Sequence, residues 1–278
     1  DKIIIIKRKN FHKFAFYIKS IFRKYDIIID YINNPTSTII AFFTKSKIKI
    51  GTKNKRNIFY THRLEIRERC YNAIKNLKML RPLGLTDFSD YMPEFFVNKE
   101  DKEKAELFLK NTGIAHKKLV GIFASAKYIT RKYIPEHFAK LAELIVENSN
   151  YRVLFLFGKD DIQTLERIKN SLKIEKDIYF APLSLSIGEL AAFMEKTKFI
   201  ITTDTGPKHI AVALGIPTLT IFSATNPEDW NPPDLDKFPI IRKEIDCIGC
   251  NKLTCDSLRC MKELSPEEIF EVAKRFIS

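Results

Sequence analysis

Nowhere in the 278 residues does an uncharged apolar stretch approach the roughly eighteen needed to cross a bilayer, so no membrane-spanning helix is expected. The first residues carry no small-residue cleavage site of the kind that ends a signal peptide. Together these make a cytoplasmic location the expectation. Internal repeats and low-complexity tracts are absent, and tryptophan occurs once, at Trp230. Acidic residues are scarce at one end: residues 1–85 hold 20 Lys/Arg against 5 Asp/Glu, a net of +15, while the whole chain carries +13. Such a surface suits phosphates, whether on nucleic acid, on anionic lipid or on a phosphorylated glycolipid, and in a lysine-rich chain it is also an ordinary solvated face.

Length and a 45% hydrophobic content allow two domains with ordinary cores. Apolar runs alternate with helical patterns, which predicts an α/β fold with parallel sheets. In the first half the pattern gives strands over 2–6, 26–31 and 47–50 and helices over 10–24, 36–44 and near 65–80, the last broken by Arg81-Pro82-Leu83-Gly84. Phe11, Phe14, Ala15, Ile18, Ile21 and Phe22 form an apolar stripe on the helix over 10–24, which suits covering a sheet and is compatible with lying on a membrane. Residues 86–100 read as an irregular connector, and the division is placed at 1–105 and 106–278. The second half gives strands over 119–124, 152–157, 177–180, 198–203 and 217–222. Helices fall between them over 135–148, 160–171, 186–197 and 207–214. Residues 225–237 read as a surface loop, and a closing helix starts at Ser265.

The most informative segment is Phe199 to Phe222. Phe199-Ile200-Ile201 suits a buried parallel strand, which stops at Thr203-Asp204-Thr205-Gly206. Asp204 and Thr205 are capping types, Gly206 lets backbone approach a ligand, and Pro207 suits a first helical turn. His209 lies in that turn, Gly215 is placed to end the helix, and Pro217 opens the next strand. Free N–H groups at a helix start just beyond a parallel strand form an anion site, most often for diphosphates.

Asp204-Thr205-Gly206-x-x-His209-Ile210-Ala211-x-Ala213-Leu214-Gly215-x-Pro217 resembles the signature of glycosyltransferase family 9, the ADP-heptose:lipopolysaccharide heptosyltransferases. Ala124-Ser125-Ala126 with Lys132-Tyr133-Ile134-Pro135 resembles the family's loop after the first strand of its nucleotide-sugar domain. Gly158 and Asp161 resemble a G-x-x-E element, and Cys247-x-x-Cys250, Cys255, Cys260-Met261 and Pro266-Glu267-Glu268 resemble the family's C-terminal tail. The resemblance runs from about Asp26 to the C-terminus.

It implies a GT-B architecture of two Rossmann-like domains, an incomplete acceptor-binding one and a complete nucleotide-sugar-binding one. It further implies an inverting transfer of heptose from ADP-heptose to a lipopolysaccharide inner-core acceptor, with neither metal nor cofactor, by a monomer peripheral to the inner membrane. Lys132, Asp204 and His209 become the expected catalytic residues. Ser125, Lys132, Asp161, Leu185, Asp204, Thr205, Gly206 and His209 become the donor-binding ones, with Lys127 and Arg131 in the same loop as Lys132. Leu185 falls where the family packs an apolar side chain on adenine. The family's glycine-aspartate turn, source of its catalytic base, has no counterpart here, so the resemblance implies a preceding segment of roughly sixty residues.

Other readings stay open at this point. The basic half fits a nucleic-acid-binding protein, although no recognisable binding motif accompanies it and the leading reading expects no nucleic-acid partner. A donor-binding-only remnant of a glycosyltransferase, which binds the sugar-nucleotide without turning it over, is the other alternative. Four thiols spaced C-x₂-C-x₄-C-x₄-C also suit a metal or redox site. Cys70 reads as a core thiol.

Overall fold

A computed structural model describes residues 24–53, 57–159 and 161–277. The strand expected over 2–6, nearly all of the helix over 10–24, and Lys55 and Arg56 fall outside them. The chain forms two compact units, 1–91 and 92–278, each an α/β body with a parallel sheet.

In the first unit β1 (Ile27–Asp30), β2 (Ile48–Thr52) and β3 (His62–Leu64) pair in the order β1-β2-β3. Helix α1 (Pro35–Phe43) links the first two. Asn34 and Ser37 close a reciprocal capping box at its start, with Pro35 in the first turn. Asp30, buried at the end of β1, accepts from the amides of Ile32 and Asn33 and from the Tyr60 hydroxyl at 2.6 Å. That places the Tyr60 ring flat on Gly51, where an added Cβ would stand 2.9 Å from ring carbons. The expected helix over 65–80 is only α2 (Asn72–Lys78), because β3 and a charged stretch occupy the residues before it. The break after it is real: a 3₁₀ turn over Arg81–Leu83 ends at Gly84 with φ +91°.

The second unit begins with α3 (Lys99–Asn111), which the sequence reading missed; the irregular connector expected over 86–100 is present up to Asn98, and the two units divide at 91/92. Its apolar face is narrow, chiefly Ala105, Phe108 and Leu109. What stabilises it is an Asn98 cap and the i,i+4 pairs Lys99–Glu103 and Glu100–Lys104, signals that hydrophobic periodicity does not carry. Then follow β4 (Leu119–Phe123), α4 (Pro135–Asn148), β5 (Arg152–Leu156), α5 (Ile162–Ser171), β6 (Ile178–Phe180), α6 (Ile187–Glu195), β7 (Phe199–Thr203), α7 (Gly206–Ala213) and β8 (Thr218–Ile221). Helix α8 (Pro227–Trp230) and strand β9 (Ile240–Ile241) replace part of the loop expected beyond β8. Helices α9 (Arg259–Lys262) and α10 (Pro266–Ile277) close the chain.

Strand order is β6-β5-β4-β7-β8-β9, all parallel. Phe138, Leu141 and Ile145 of α4 and Ile269, Phe270 and Ala273 of α10 bury one face of the sheet. Ala105 and Leu109 of α3, Phe193 of α6 and Ala211 of α7 bury the other. Because both faces are covered, the central strands are chiefly apolar, and β4 and β7 are buried along their whole length, Thr202 and Thr203 included. Connections leave the neighbours β4 and β7 toward opposite faces, which opens a crevice beyond their carboxyl ends. In doubly wound sheets ligands bind at such a switch point.

Candidate functional site

Two loops meet at that crevice. The first, residues 124–134, leaves β4 and makes a 3₁₀ turn over Ile129–Arg131. The rest of the unit pins it: Ser223 Oγ donates to the Thr130 carbonyl at 2.6 Å, Thr130 Oγ1 to the Lys252 carbonyl at 2.8 Å, and the Tyr133 hydroxyl to the Leu264 carbonyl at 2.9 Å. The second loop is the Thr203-to-Gly206 turn into α7. Thr205 is the N-cap in extended conformation and no side chain caps the first-turn amides, so they remain available to a ligand. The helix closes with a Schellman motif. Gly215, at φ +69°, donates to the Val212 carbonyl and Ile216 to the Ala211 carbonyl.

Between the loops lies a groove of about 720 Å³. Among the described residues Lys127, Arg131, Lys132 and Lys159 bring four cations to its lining against one acid, Asp161; Ser125, Thr205, Gly206 and Pro207 form its floor and far wall. An adjoining lobe of about 480 Å³ shares Phe123, Gly158, Lys159 and Pro207 with it and adds Phe157, Leu185, Ile187 and Leu190 together with Ser184, Ser186 and Glu189. One part is cationic and the other mainly apolar, a division that suits a phosphorylated ligand with a flat apolar end.

The expected residues fall in different places. Ser125 is buried, and its hydroxyl accepts from the Gly158 amide at 2.8 Å, tying the β4 and β5 loops together. Lys132 Nζ lies 3.9 Å from Asp161 Oδ1. Asp161 is the N-cap residue of α5, yet its side chain makes no capping bond and faces the groove. A Cβ at Gly158 would come within 2.8 Å of Asp161 Oδ2, so only glycine leaves that carboxylate where it is. Gly206 is exposed in the lining, with no atom within 4 Å of an added Cβ. Leu185 lines the apolar lobe.

Asp204 and His209 line neither lobe. The Asp204 side chain is 3% exposed and lies behind the turn, where Oδ2 accepts from Thr225 Oγ1 at 2.6 Å and Oδ1 sits 3.5 Å from Lys208 Nζ. Arg131 Nη1 approaches from the groove side, 4.0 Å from Oδ2 and donating to the Asp204 carbonyl at 3.4 Å. Lys208 is fully buried. It bonds the Trp230 carbonyl and its ammonium stands 4.8 Å from the centre of the Phe222 ring. Burial pulls its pKa down to about 8 against the opposing pull of Asp204. His209 Nε2 is 4.0 Å from Asp204 Oδ1, and the ring lies 5.9 Å from Trp230. Burial foremost, then the Lys208 charge, hold its pKa well below the ordinary histidine range despite Asp204, so the imidazole is neutral at pH 7 and donates from one nitrogen only.

Sequence reasoning passed over Lys159 and Lys208. Lys159 directly follows Gly158 at the carboxyl end of β5, and that position is the signal for it. A lysine one residue before His209 gives no sign of being buried. The four clustered cysteines are free thiols, and among the described residues no group of three or more His, Cys, Asp or Glu is placed to hold a metal ion. No helix among the described residues is long and apolar enough to cross a membrane.

A model of the family described as glycosyltransferase family 9 (heptosyltransferase) matches residues 16–260. The chain is 26% identical to a lipooligosaccharide heptosyltransferase 2 of Campylobacter jejuni over 283 aligned positions, covering 100% of this chain and 83% of that enzyme. Its fold is similar to that of a family 9 glycosyltransferase from Veillonella parvula, with a TM-score of 0.83 at 20% identity over 100% of this chain and 82% of the other. It is also similar to the E. coli heptosyltransferase WaaC solved with ADP, with a TM-score of 0.68 at 17% identity over 94% and 76% of the two chains.

Proposed function

Since the chain belongs to glycosyltransferase family 9, the heptosyltransferases, we propose that it transfers heptose from ADP-heptose to a lipopolysaccharide inner-core acceptor with inversion at the anomeric carbon. The observation that carries this reading is the uncapped start of α7 facing a groove lined by four cations, with an apolar lobe alongside. The diphosphate of the donor lies against the amides of Thr205, Gly206 and Lys208, and Pro207 between them has no N–H to lose. Arg131 and Lys132 stand over it, and the adenine enters the lobe beside Leu185. Similarity in fold to an enzyme solved with ADP supports adenosine diphosphate as the nucleotide.

The acceptor hydroxyl attacks the anomeric carbon from the face opposite the diphosphate, giving its proton to a general base as the bond to ADP breaks. The bonding pair goes to the leaving oxygen and adds one negative charge to the two the diphosphate already carries. Fixed cations and oriented amides meet that charge without having to reorganise, which is where electrostatic catalysis gains most. With charge supplied this way the step is metal-independent. His209, neutral and behind the turn, steadies Trp230 and the helix start. The acceptor is a phosphorylated glycolipid at the cytoplasmic face of the inner membrane, to which the monomer attaches peripherally through its basic first half.

Gly206→Val tests the donor site directly. An added Cβ there meets no protein atom within 4 Å, so the melting temperature should hold while ADP affinity in calorimetry falls by at least about tenfold. Equal ADP affinity in the variant, or no ADP binding by the parent chain, would remove the reading.

A further inference from the structure

Among the described residues the first unit carries an exposed apolar surface. On α1, Ile39, Phe42 and Phe43 project from one side at i, i+3 and i+4 and are 39%, 49% and 39% exposed. From the 3₁₀ turn over Asn57–Phe59, Ile58 is 67% exposed and Phe59 37%. The three rings form one cluster, with centroids of Phe42 and Phe59 4.5 Å apart and those of Phe42 and Phe43 5.0 Å, and Ile39 and Ile58 stand next to it on the same helix and turn. Exposed apolar side chains scattered singly need no explanation, whereas a contiguous aromatic cluster marks a binding surface.

Charge tells what it binds. Between Asp30 and Glu65 the sequence holds seven Lys or Arg and no Asp or Glu, so the patch grows out of a stretch without a negative side chain. Lys45 and Lys47, just beyond α1, are exposed. Lys49 is occupied differently: its ammonium donates to the Ala41 and Phe42 carbonyls at 2.6 and 3.3 Å and finishes the helix. Exposed aromatic rings next to a segment rich in lysine, with the carboxylate of Asp26 the nearby exception, fit the interface of a bilayer with anionic headgroups, where rings enter the acyl boundary and lysines meet phosphates. An apolar protein partner requires no such excess of one sign.

We propose that the cluster of Ile39, Phe42, Phe43, Ile58 and Phe59, flanked by Lys45 and Lys47, is the surface by which the chain inserts into an anionic membrane leaflet. This rests on the reading above in that a membrane-borne acceptor gives such docking its purpose.

The test is co-sedimentation of the whole chain with phosphatidylcholine vesicles and with vesicles containing phosphatidylglycerol. Calorimetry with ADP and a circular-dichroism melt accompany each variant. The chain should sediment with the anionic vesicles only. Phe42→Ser with Phe59→Ser, and separately Lys45→Glu with Lys47→Glu, should each weaken that binding at least about tenfold with melting and ADP affinity unchanged. The lysine pair changes no packed side chain and keeps the test intact if the aromatic pair fails to fold. Absence of binding to anionic vesicles, parent-like binding by a folded aromatic variant or by the lysine variant, or a dimer that the aromatic variant dissociates would each overturn the proposal. Vesicle binding without ADP binding would leave this surface standing and remove the donor site instead.

Discussion

Asp204→Ala should lower the unfolding free energy by about 3–5 kcal/mol, the largest loss expected from any single change near the groove. The reason is the company the carboxylate keeps. Lys208 is a fully buried ammonium, and apart from the Trp230 carbonyl and the face of Phe222 its compensation is Asp204 at 3.5 Å. Removing the acid leaves a cation in a dry site, takes the acceptor from Thr225, and releases Arg131 from its partner behind the groove. Asp204→Asn keeps the shape but not the charge and should be nearly as costly. Adding Lys208→Met to it should restore much of the loss, since a buried pair replaced on both sides by neutral groups often costs little. Chemical denaturation of the single and double variants reads this out. A loss below about 1 kcal/mol for Asp204→Ala would show that the pair is not what holds the turn.

The second large effect concerns binding rather than folding. Arg131→Ala combined with Lys132→Ala should weaken ADP binding about a hundredfold, near 2.7 kcal/mol, because each cation supplies a charge-assisted contact to the diphosphate. Both side chains are partly exposed on a loop held by Ser223, Lys252 and Leu264 through Thr130 and Tyr133, so truncation should leave the loop in place. Adenosine, which lacks phosphates, should bind the variant as it binds the parent chain, and the salt dependence of ADP binding should flatten. ADP affinity within twofold of the parent would place the diphosphate elsewhere.

Much of this was readable before any coordinates. The strand–turn–helix of Phe199 to Phe222 declared itself because a buried parallel strand, a proline-marked helix start and a glycine stop are local signals, and the structure has all three. Ser125, Lys132, Asp161, Thr205 and Gly206 come to one groove because the switch point joins loops far apart in sequence. The direction of a side chain at such a turn is not local information. Asp204 and His209 share the turn, yet the backbone there sends them behind the groove toward Lys208 and Thr225. Helix α3 escaped notice for a different reason: its cap and ion pairs stabilise a segment whose apolar stripe is too thin to stand out.

The most direct measurement is the structure of the chain crystallised with ADP. The account places the diphosphate within hydrogen-bonding distance of the amides of Thr205, Gly206 and Lys208, with Arg131 and Lys132 beside it and adenine in the lobe next to Leu185. A diphosphate bound away from the start of α7, or adenine seated among the four cations, would contradict it.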